Sequence, residues 1–418
     1  MNILLLAYGS RGDVQPMLAF AQGLQAAGYA VTLAAGSNFR TWIEGAGLRY
    51  AAFSTDMQAL MGSESGKLWI ETSSRNPIKG LGHMRDMMNQ FGARINADMR
   101  EMSADADVIV SGLPTFGMAA AIAEERDIPH LRIMFVPMKP SRDPRLTILP
   151  WWRGPSFLNR WSSKLSLRFM WNVNAEMVNE MRGQLGLAAW TRGDYLAAWQ
   201  ATPTLYGLSP AVVPHDPEWS GQNAVTGYWF YDDFGDWQPS DALCEFLAAG
   251  SKPVYVGFGS MSSSDPDGTL QTVVTALQRS EQRGIVYSGW ADLHSDDLPE
   301  SIFLLDGAPH HWLFPQMAAV VHHGGAGTTA AALRAGVPAT IVAHMADQPY
   351  WGRRVVELGV APTAIPRHKL NTQNLATAIT AMVNEPAYSA QAAQLAQKIR
   401  AEDGVGEAVM AFSRMIQQ

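Results

Sequence analysis

Cysteine is all but missing from this chain: Cys244 stands alone among 418 residues. An intramolecular disulfide and every cysteine-cluster metal site are thereby excluded, and a reducing compartment is the natural setting. Charge is also sparse, at 17% of residues, and its balance is acidic, with a formal net charge of −7. Nonspecific nucleic-acid binding, which needs a surplus of cations, is not expected. Few charges combined with 47% hydrophobic residues exclude disorder as the general state. No apolar run approaches the roughly 20 residues of a membrane-spanning helix. The N-terminus enters an apolar stretch at Ile3 with no basic leader before it. A cytoplasmic protein of two domains is expected from this length and composition.

What is present reads as two rounds of one pattern. Asn2 to Tyr8 is continuously apolar, as a strand buried on both faces must be. Gly9-Ser10-Arg11-Gly12-Asp13 follows, then a helix with Pro16 in its first turn and Gly28 past its end. Met17, Phe20, Ala21 and Leu24 share one helical face, and Tyr29 to Ala35 is the next strand. Such a βαβ opening predicts a doubly wound α/β domain, with ligands beyond the carboxyl ends of its strands. Asp13 falls at that edge, where it can cap the helix or serve as a general base. A dinucleotide site is disfavoured: the Gly-x-Gly-x-x-Gly spacing is incomplete, and Ala34-Ala35-Gly36 offers no acid to a ribose.

Further strands are expected at Val108 to Val110, Leu131 to Phe135 and Thr204 to Tyr206. Asp105-Ala106-Asp107 precedes a strand and is better explained by turn chemistry than by metal binding. Between Pro137 and Pro203 the strand pattern fades. Nine of the 14 tryptophans lie between Trp151 and Trp237, and Arg153, Arg160, Lys164 and Arg168 share an acid-free stretch. Helical packing explains any single tryptophan; the ensemble is compatible with an apolar cleft or peripheral contact with a membrane surface. Ser209 to Pro217 is rich in turn formers and reads as part of an interdomain linker.

The second round begins at Pro253 to Phe258, running into Gly259-Ser260. Strands are expected at Ile285 to Ser288, Ile302 to Leu305, Ala319 to Val321 and Ala339 to Val342. The third of these ends in His322-His323-Gly324-Gly325-Ala326-Gly327-Thr328-Thr329, followed by a small-residue helix. Glycines allow close backbone approach, the helix start offers unpaired N–H groups and the positive end of its dipole, and threonine adds hydroxyls. That combination suits a phosphate or diphosphate. The boundaries read from the sequence are an N-terminal domain over 1–208, a linker over 209–227, a second domain over 228–395, and a helical segment over 396–418 interrupted near Asp403-Gly404.

Three motifs in order, Gly9 to Pro16, His322 to Thr329 and Asp347-Gln348-Pro349-Tyr350-Trp351, resemble the family 1 glycosyltransferases of GT-B fold. The resemblance is to the branch of sterol 3β-glucosyltransferases and bacterial antibiotic glycosyltransferases, and it covers essentially the whole chain. It implies two Rossmann-like domains facing across a cleft, the first for an acceptor and the second for a nucleotide-sugar. It implies that His323 contacts the diphosphate, with the backbone of Gly325 and Gly327 and the Thr328 hydroxyl, and that Ser260 lies near the phosphates. Asp347 and Gln348 match the pair that holds the donor sugar, and Ser10 and Arg11 are candidate contacts from the other side. Asp13 falls where plant relatives carry a catalytic histidine.

The chain departs from plant members at Gly307-Ala308-Pro309-His310, where those hold a base-stacking tryptophan; this leaves uracil or thymine open. The implied activity is inverting transfer of a sugar, foremost glucose from UDP-glucose, to a hydroxyl of a sterol, terpenoid, polyketide or flavonoid. No cofactor and no metal are expected. A nucleotide-sugar epimerase of the same fold, or a non-catalytic nucleotide-sugar-binding protein, are the alternatives.

Overall fold

The computed structural model describes residues 1–55, 60, 61, 66, 68, 69, 72, 73, 77–146, 156–214, 216, 219, 221–259, 265–287 and 298–417. They form two units. One comprises Met1–Met61, Leu81–Tyr231 and Glu402–Gln418, and the other is built on Asp232–Ala401.

In the first unit the strands are β1 (Asn2–Leu6), β2 (Ala30–Gly36), β3 (Arg49–Phe53), β4 (Val108–Ser111), β5 (His130–Met134), β6 (Thr204–Tyr206) and β7 (Asn223–Val225). They form one parallel sheet in the order β3-β2-β1-β4-β5-β6-β7. The order reverses between β1 and β4, and a doubly wound sheet opens its ligand crevice at that reversal. Helix α1 (Arg11–Ala26) buries Met17, Phe20, Ala21 and Leu24 against Ile3, Leu5, Val31 and Leu33, as their helical spacing requires. Residues 209–227, read from the sequence as linker, lie within this unit and supply β7. Turn-forming composition concealed the burial of Ser209, Val212, Val213 and Asp216, and Ser209 donates its hydroxyl to Glu402 at 2.6 Å.

Of the tryptophans described between Trp161 and Trp237, Trp171, Trp199, Trp219 and Trp229 are core. Helices α2 (Phe116–Arg126), α3 (Ser156–Gln184) and α4 (Arg192–Ala201) bury Trp171, Tyr195 and Trp199. The Arg132 guanidinium lies 3.8 Å from the Trp199 ring centroid and 5.1 Å from that of Phe116, a cation–π arrangement inside the fold. Trp151, Trp152 and Arg153 fall outside the described residues.

The second unit repeats the scheme with β8 (Val254–Gly257), β9 (Gly284–Tyr287), β10 (Ile302–Leu305), β11 (Ala319–His322), β12 (Ala339–Ala343) and β13 (Ala364–Pro366). The parallel order is β10-β9-β8-β11-β12-β13, reversing between β8 and β11. Helix α5 (Ala326–Ala335) follows β11, and α6 (Gln348–Glu357) follows β12. One face of the sheet buries Val254, Val256, Val321 and Val342, the other Tyr255, Ile285, Val320 and Ala339. The chain then re-enters the first unit, where α7 (Gly404–Met415) packs on α1. A Cβ on Gly23 would stand 2.6 Å from Val405 Cγ1, so glycine is what lets these two helices close.

Candidate functional site

The carboxyl ends of β1, β8, β11 and β12 carry the residues singled out in the sequence. In the first unit Ser10 caps α1, its Oγ accepting from Gly12 N at 3.3 Å, while Ser10 N donates to Asp13 Oδ2 at 2.9 Å. The Ser10 hydroxyl donates to the same carboxylate oxygen at 3.3 Å. This reciprocal capping box is a structural role in its own right. It also fixes the orientation of a carboxylate at the strand-order reversal. A Cβ on Gly9 would fall 2.2 Å from Asp13 Oδ2, so the carboxylate lies directly over that glycine. Asp13 keeps part of its surface, yet the protein around it raises its pKa by desolvation, against lowering by the Ser10 hydrogen bonds. Arg11 is exposed, donates to Gln15 Oε1 at 3.2 Å and stands 5.2 Å from the Trp42 ring centroid.

In the second unit the glycine loop forms because β8 and β11 are hydrogen-bonded neighbours, with Gly257 opposite His322. His323 is thereby brought onto Gly259: a Cβ there would meet its Cε1 at 3.0 Å, and one on Gly325 would meet its Nε2 at 2.6 Å. The imidazole sits between two glycines, where a side chain on either would displace it. Its Nδ1 is buried with no hydrogen-bond partner among the described residues. Burial lowers its pKa to about 4, so the ring is neutral at physiological pH and able to donate or accept a hydrogen bond. His322 is fully buried and accepts from Gly324 N at 3.1 Å through Nδ1, a structural residue.

Gly324 has φ +95°, open to glycine and rarely to other residues. It turns the loop against α6, where a Cβ would meet Ile341 Cγ2 at 2.6 Å and Gln348 Cβ at 3.2 Å. This contact joins the glycine loop to Asp347-Gln348. Gln348 Oε1 accepts from His344 N at 2.7 Å and Met345 N at 3.0 Å, and Asp347 Oδ2 accepts from Trp351 Nε1 at 2.8 Å. Ala346, between them, holds φ +54°, an uncommon setting for a residue with a side chain. Helix α5 has Gly325 as its N-cap, no side-chain cap and no acid in its first turn, leaving its opening N–H groups for an anion. Thr329 is buried and donates to Gly325 O at 2.9 Å; Thr328 keeps part of its surface beside it, as does Gly325, and Gly327 is exposed. Ser260 lies outside the described residues.

Sequence reasoning passed over two groups at this edge. His344 is buried at the end of β12, donates through Nδ1 to Val342 O at 3.0 Å, and has its pKa lowered to about 3 by burial, then by the nearby His323 and Arg367. Arg367 follows β13 and donates to Thr269 Oγ1 at 2.7 Å. Only strand order brings these residues, more than 20 positions apart, to one place.

Residues 3–139 match the glycosyltransferase family 28 N-terminal domain, and residues 288–415 match the C-terminal domain of erythromycin biosynthesis protein CIII-like proteins. Sterol 3-beta-glucosyltransferase UGT80B1 of Arabidopsis thaliana is 35% identical over 99% of this chain, which spans 68% of that protein. UGT80A2 of the same plant is 36% identical, with 99% of this chain and 65% of that protein covered. The sterol 3-beta-glucosyltransferase of Neosartorya fischeri is 34% identical over 99% of this chain, which spans only 29% of the fungal protein. Among solved structures, the glycotransferase of kitacinnamycin superposes with a TM-score of 0.72 at 18% identity over 99% of both chains. Glycosyltransferase VinC in complex with DTDP gives 0.68 at 21% identity over the full length of both. These neighbours share the two-sheet GT-B architecture. The chain belongs to the family 1 glycosyltransferases.

Proposed function

We propose that this enzyme transfers a sugar, foremost glucose from UDP-glucose, to a hydroxyl of a hydrophobic small molecule with inversion at the anomeric carbon. The observation that carries this reading is similarity over 99% of the chain to plant sterol 3-beta-glucosyltransferases. The nucleoside diphosphate bound by VinC supports a nucleotide-sugar donor.

Asp13 takes the acceptor's proton as the acceptor oxygen attacks the anomeric carbon and the bond to the diphosphate breaks. Both Ser10 donors converge on Oδ2, so Oδ1 is the candidate proton acceptor. A raised carboxyl pKa makes it a stronger base than an exposed aspartate, and such a base contributes roughly 10² to 10⁴ in rate. Charge developing on the leaving diphosphate is met by the α5 N-terminus, the Thr328 hydroxyl and neutral His323, with Ser260 near the phosphates and Asp347 and Gln348 at the sugar. Donors fixed before the reaction need no reorganisation during it. Ser10 and Arg11 are further candidate donor contacts. The reading assigns no step to a metal or cofactor.

Purified protein is incubated with UDP-glucose and pooled hydroxylated apolar compounds, beside Asp13→Asn, and products are weighed by mass spectrometry. A hexose adduct made by the wild type, reduced about 10² to 10⁴-fold in the variant with nucleotide binding retained, is expected. Equal turnover in the variant removes Asp13 from the role. Nucleotide-sugar conversion without acceptor would instead identify an epimerase, and absence of nucleotide binding would overturn the enzymatic reading.

A further inference from the structure

Helix α3 is built inside out over its first turns. Asn159 and Ser162, small and polar, are 0% and 2% exposed, whereas Phe157 is 67% and Trp161 53% exposed. These are the aromatic side chains left exposed among the described residues. The inward side gains little from this arrangement: Asn159 Nδ2 donates to Arg142 O at 3.2 Å and Ser162 Oγ to Asn159 O at 2.8 Å, while Asn159 Oδ1 is buried without a partner among the described residues. Packing therefore gives no reason to turn the aromatics out, and water gives a reason to turn them in.

The exposed face carries a second feature. Phe157, Trp161, Lys164 and Arg168 recur at helical spacing along one side, with Arg160 flanking them. Lys164 is exposed, and Arg160 and Arg168 keep part of their surface. From Ser156 to Ala175 the helix contains no acidic residue, in a chain whose formal net charge is −7. We propose that this face docks the protein peripherally on an anionic lipid bilayer, with Phe157 and Trp161 entering the headgroup boundary and Arg160, Lys164 and Arg168 meeting lipid phosphates and carboxylates. Tryptophan and phenylalanine interleaved with cations are what an interfacial helix presents. A protein partner fits less well, because lysine is depleted from desolvated protein interfaces, whereas at a membrane its stem stays apolar and its ammonium reaches the headgroups. The helix lies on the surface and does not cross it: no described helix is long and apolar enough to span.

Flotation of the full chain with vesicles tests the proposal. The wild type is expected to float with phosphatidylcholine–phosphatidylserine vesicles, to stay behind with phosphatidylcholine alone, and to be released by salt. Phe157→Ser/Trp161→Ser should abolish flotation, and Lys164→Glu should weaken it more than the roughly fivefold expected for losing one surface cation, because the charge is reversed. Nucleotide binding and the circular-dichroism spectrum serve as the folding control for both variants. Equal flotation of the aromatic variant overturns the proposal, as does failure of the wild type to bind anionic vesicles. Failure to float, with light scattering showing a dimer that the aromatic variant dissolves, assigns the face to a second copy of the chain and likewise overturns it.

Discussion

Asp13 and His323, the proposed base and the proposed diphosphate contact, are each held in place by contacts that belong to the fold. The capping box that holds Asp13 to Ser10 engages one carboxylate oxygen, Oδ2, at the helix start. His323 is trapped between Gly259 and Gly325, and its burial keeps it uncharged. The sign follows directly: with a pKa near 4, His323 changes charge well below neutrality, so the diphosphate contact proposed for it is a hydrogen bond. Nucleotide affinity should accordingly be flat between pH 6 and 8 as far as this residue is concerned. His323→Ala should weaken it roughly tenfold, the worth of one hydrogen bond to a charged group. Calorimetric titration of UDP across that range checks both points. A wild-type affinity that falls with rising pH, and loses this dependence in the alanine variant, would show a protonated imidazole instead.

At the scale of the element, legibility followed burial. The central strands β1, β4, β8, β11 and β12 are mostly apolar and readable from sequence, because a strand covered on both faces can hold little else; β5 is readable too although it carries Arg132, whose guanidinium donates to Trp199 O and Thr204 Oγ1 inside the fold. Strands β3, β7 and β13 were missed. All three are edge strands, two of them only three residues long, and they keep polar or half-exposed positions that blur any pattern. The site divided in the same way. Its motif loops were legible because each is contiguous, and through resemblance; His344 and Arg367 were not, since the sheet order alone assembles them. Gly324 belongs to this scale, as one residue that sets the path of the loop. Gly324→Ala forces a Cβ into Ile341 at positive φ, and should cost about 1–3 kcal/mol of stability while lowering nucleotide affinity. Gly28→Ala, also at positive φ but with nothing within 4 Å of its Cβ, is the control. It carries the backbone strain without the collision, and should leave nucleotide binding unchanged. Denaturant unfolding and UDP titration of the pair separate strain from loop displacement.

For the whole molecule, two sheets with separate cores are joined by a chain that leaves the first unit and returns to it as α7. Their acid sensitivities should differ. His322 and His344 are buried in the second unit, with pKa values pushed well below normal and to about 3 respectively by loss of solvation, and His323 lies beside them. Each is neutral in the folded state and takes a proton on unfolding below its ordinary value of 6.5. Stability they preserve at pH 7 is therefore lost as pH falls from about 6.5. The loss approaches about 1.4 kcal/mol per pH unit for each fully buried histidine until its folded pKa is reached. The first unit carries His130, lowered to about 3 by burial and then by Arg132, so among the described residues it has one such group where the second has three. Asp13 and Glu402, also in the first unit and raised by burial, have the opposite sign: they favour the folded state on acidification, nearer the carboxylate range. Between pH 6.5 and 5 the second unit should thus lose stability faster. Scanning calorimetry should show its transition moving to lower temperature ahead of the first, with UDP at pH 7 raising the same transition through binding to the folded state. In His344→Gln, whose amide keeps a donor for Val342 O, the acid shift should be shallower. Transitions that move together from pH 7 to 5, or an unchanged slope in that variant, would place the acid-sensitive groups elsewhere.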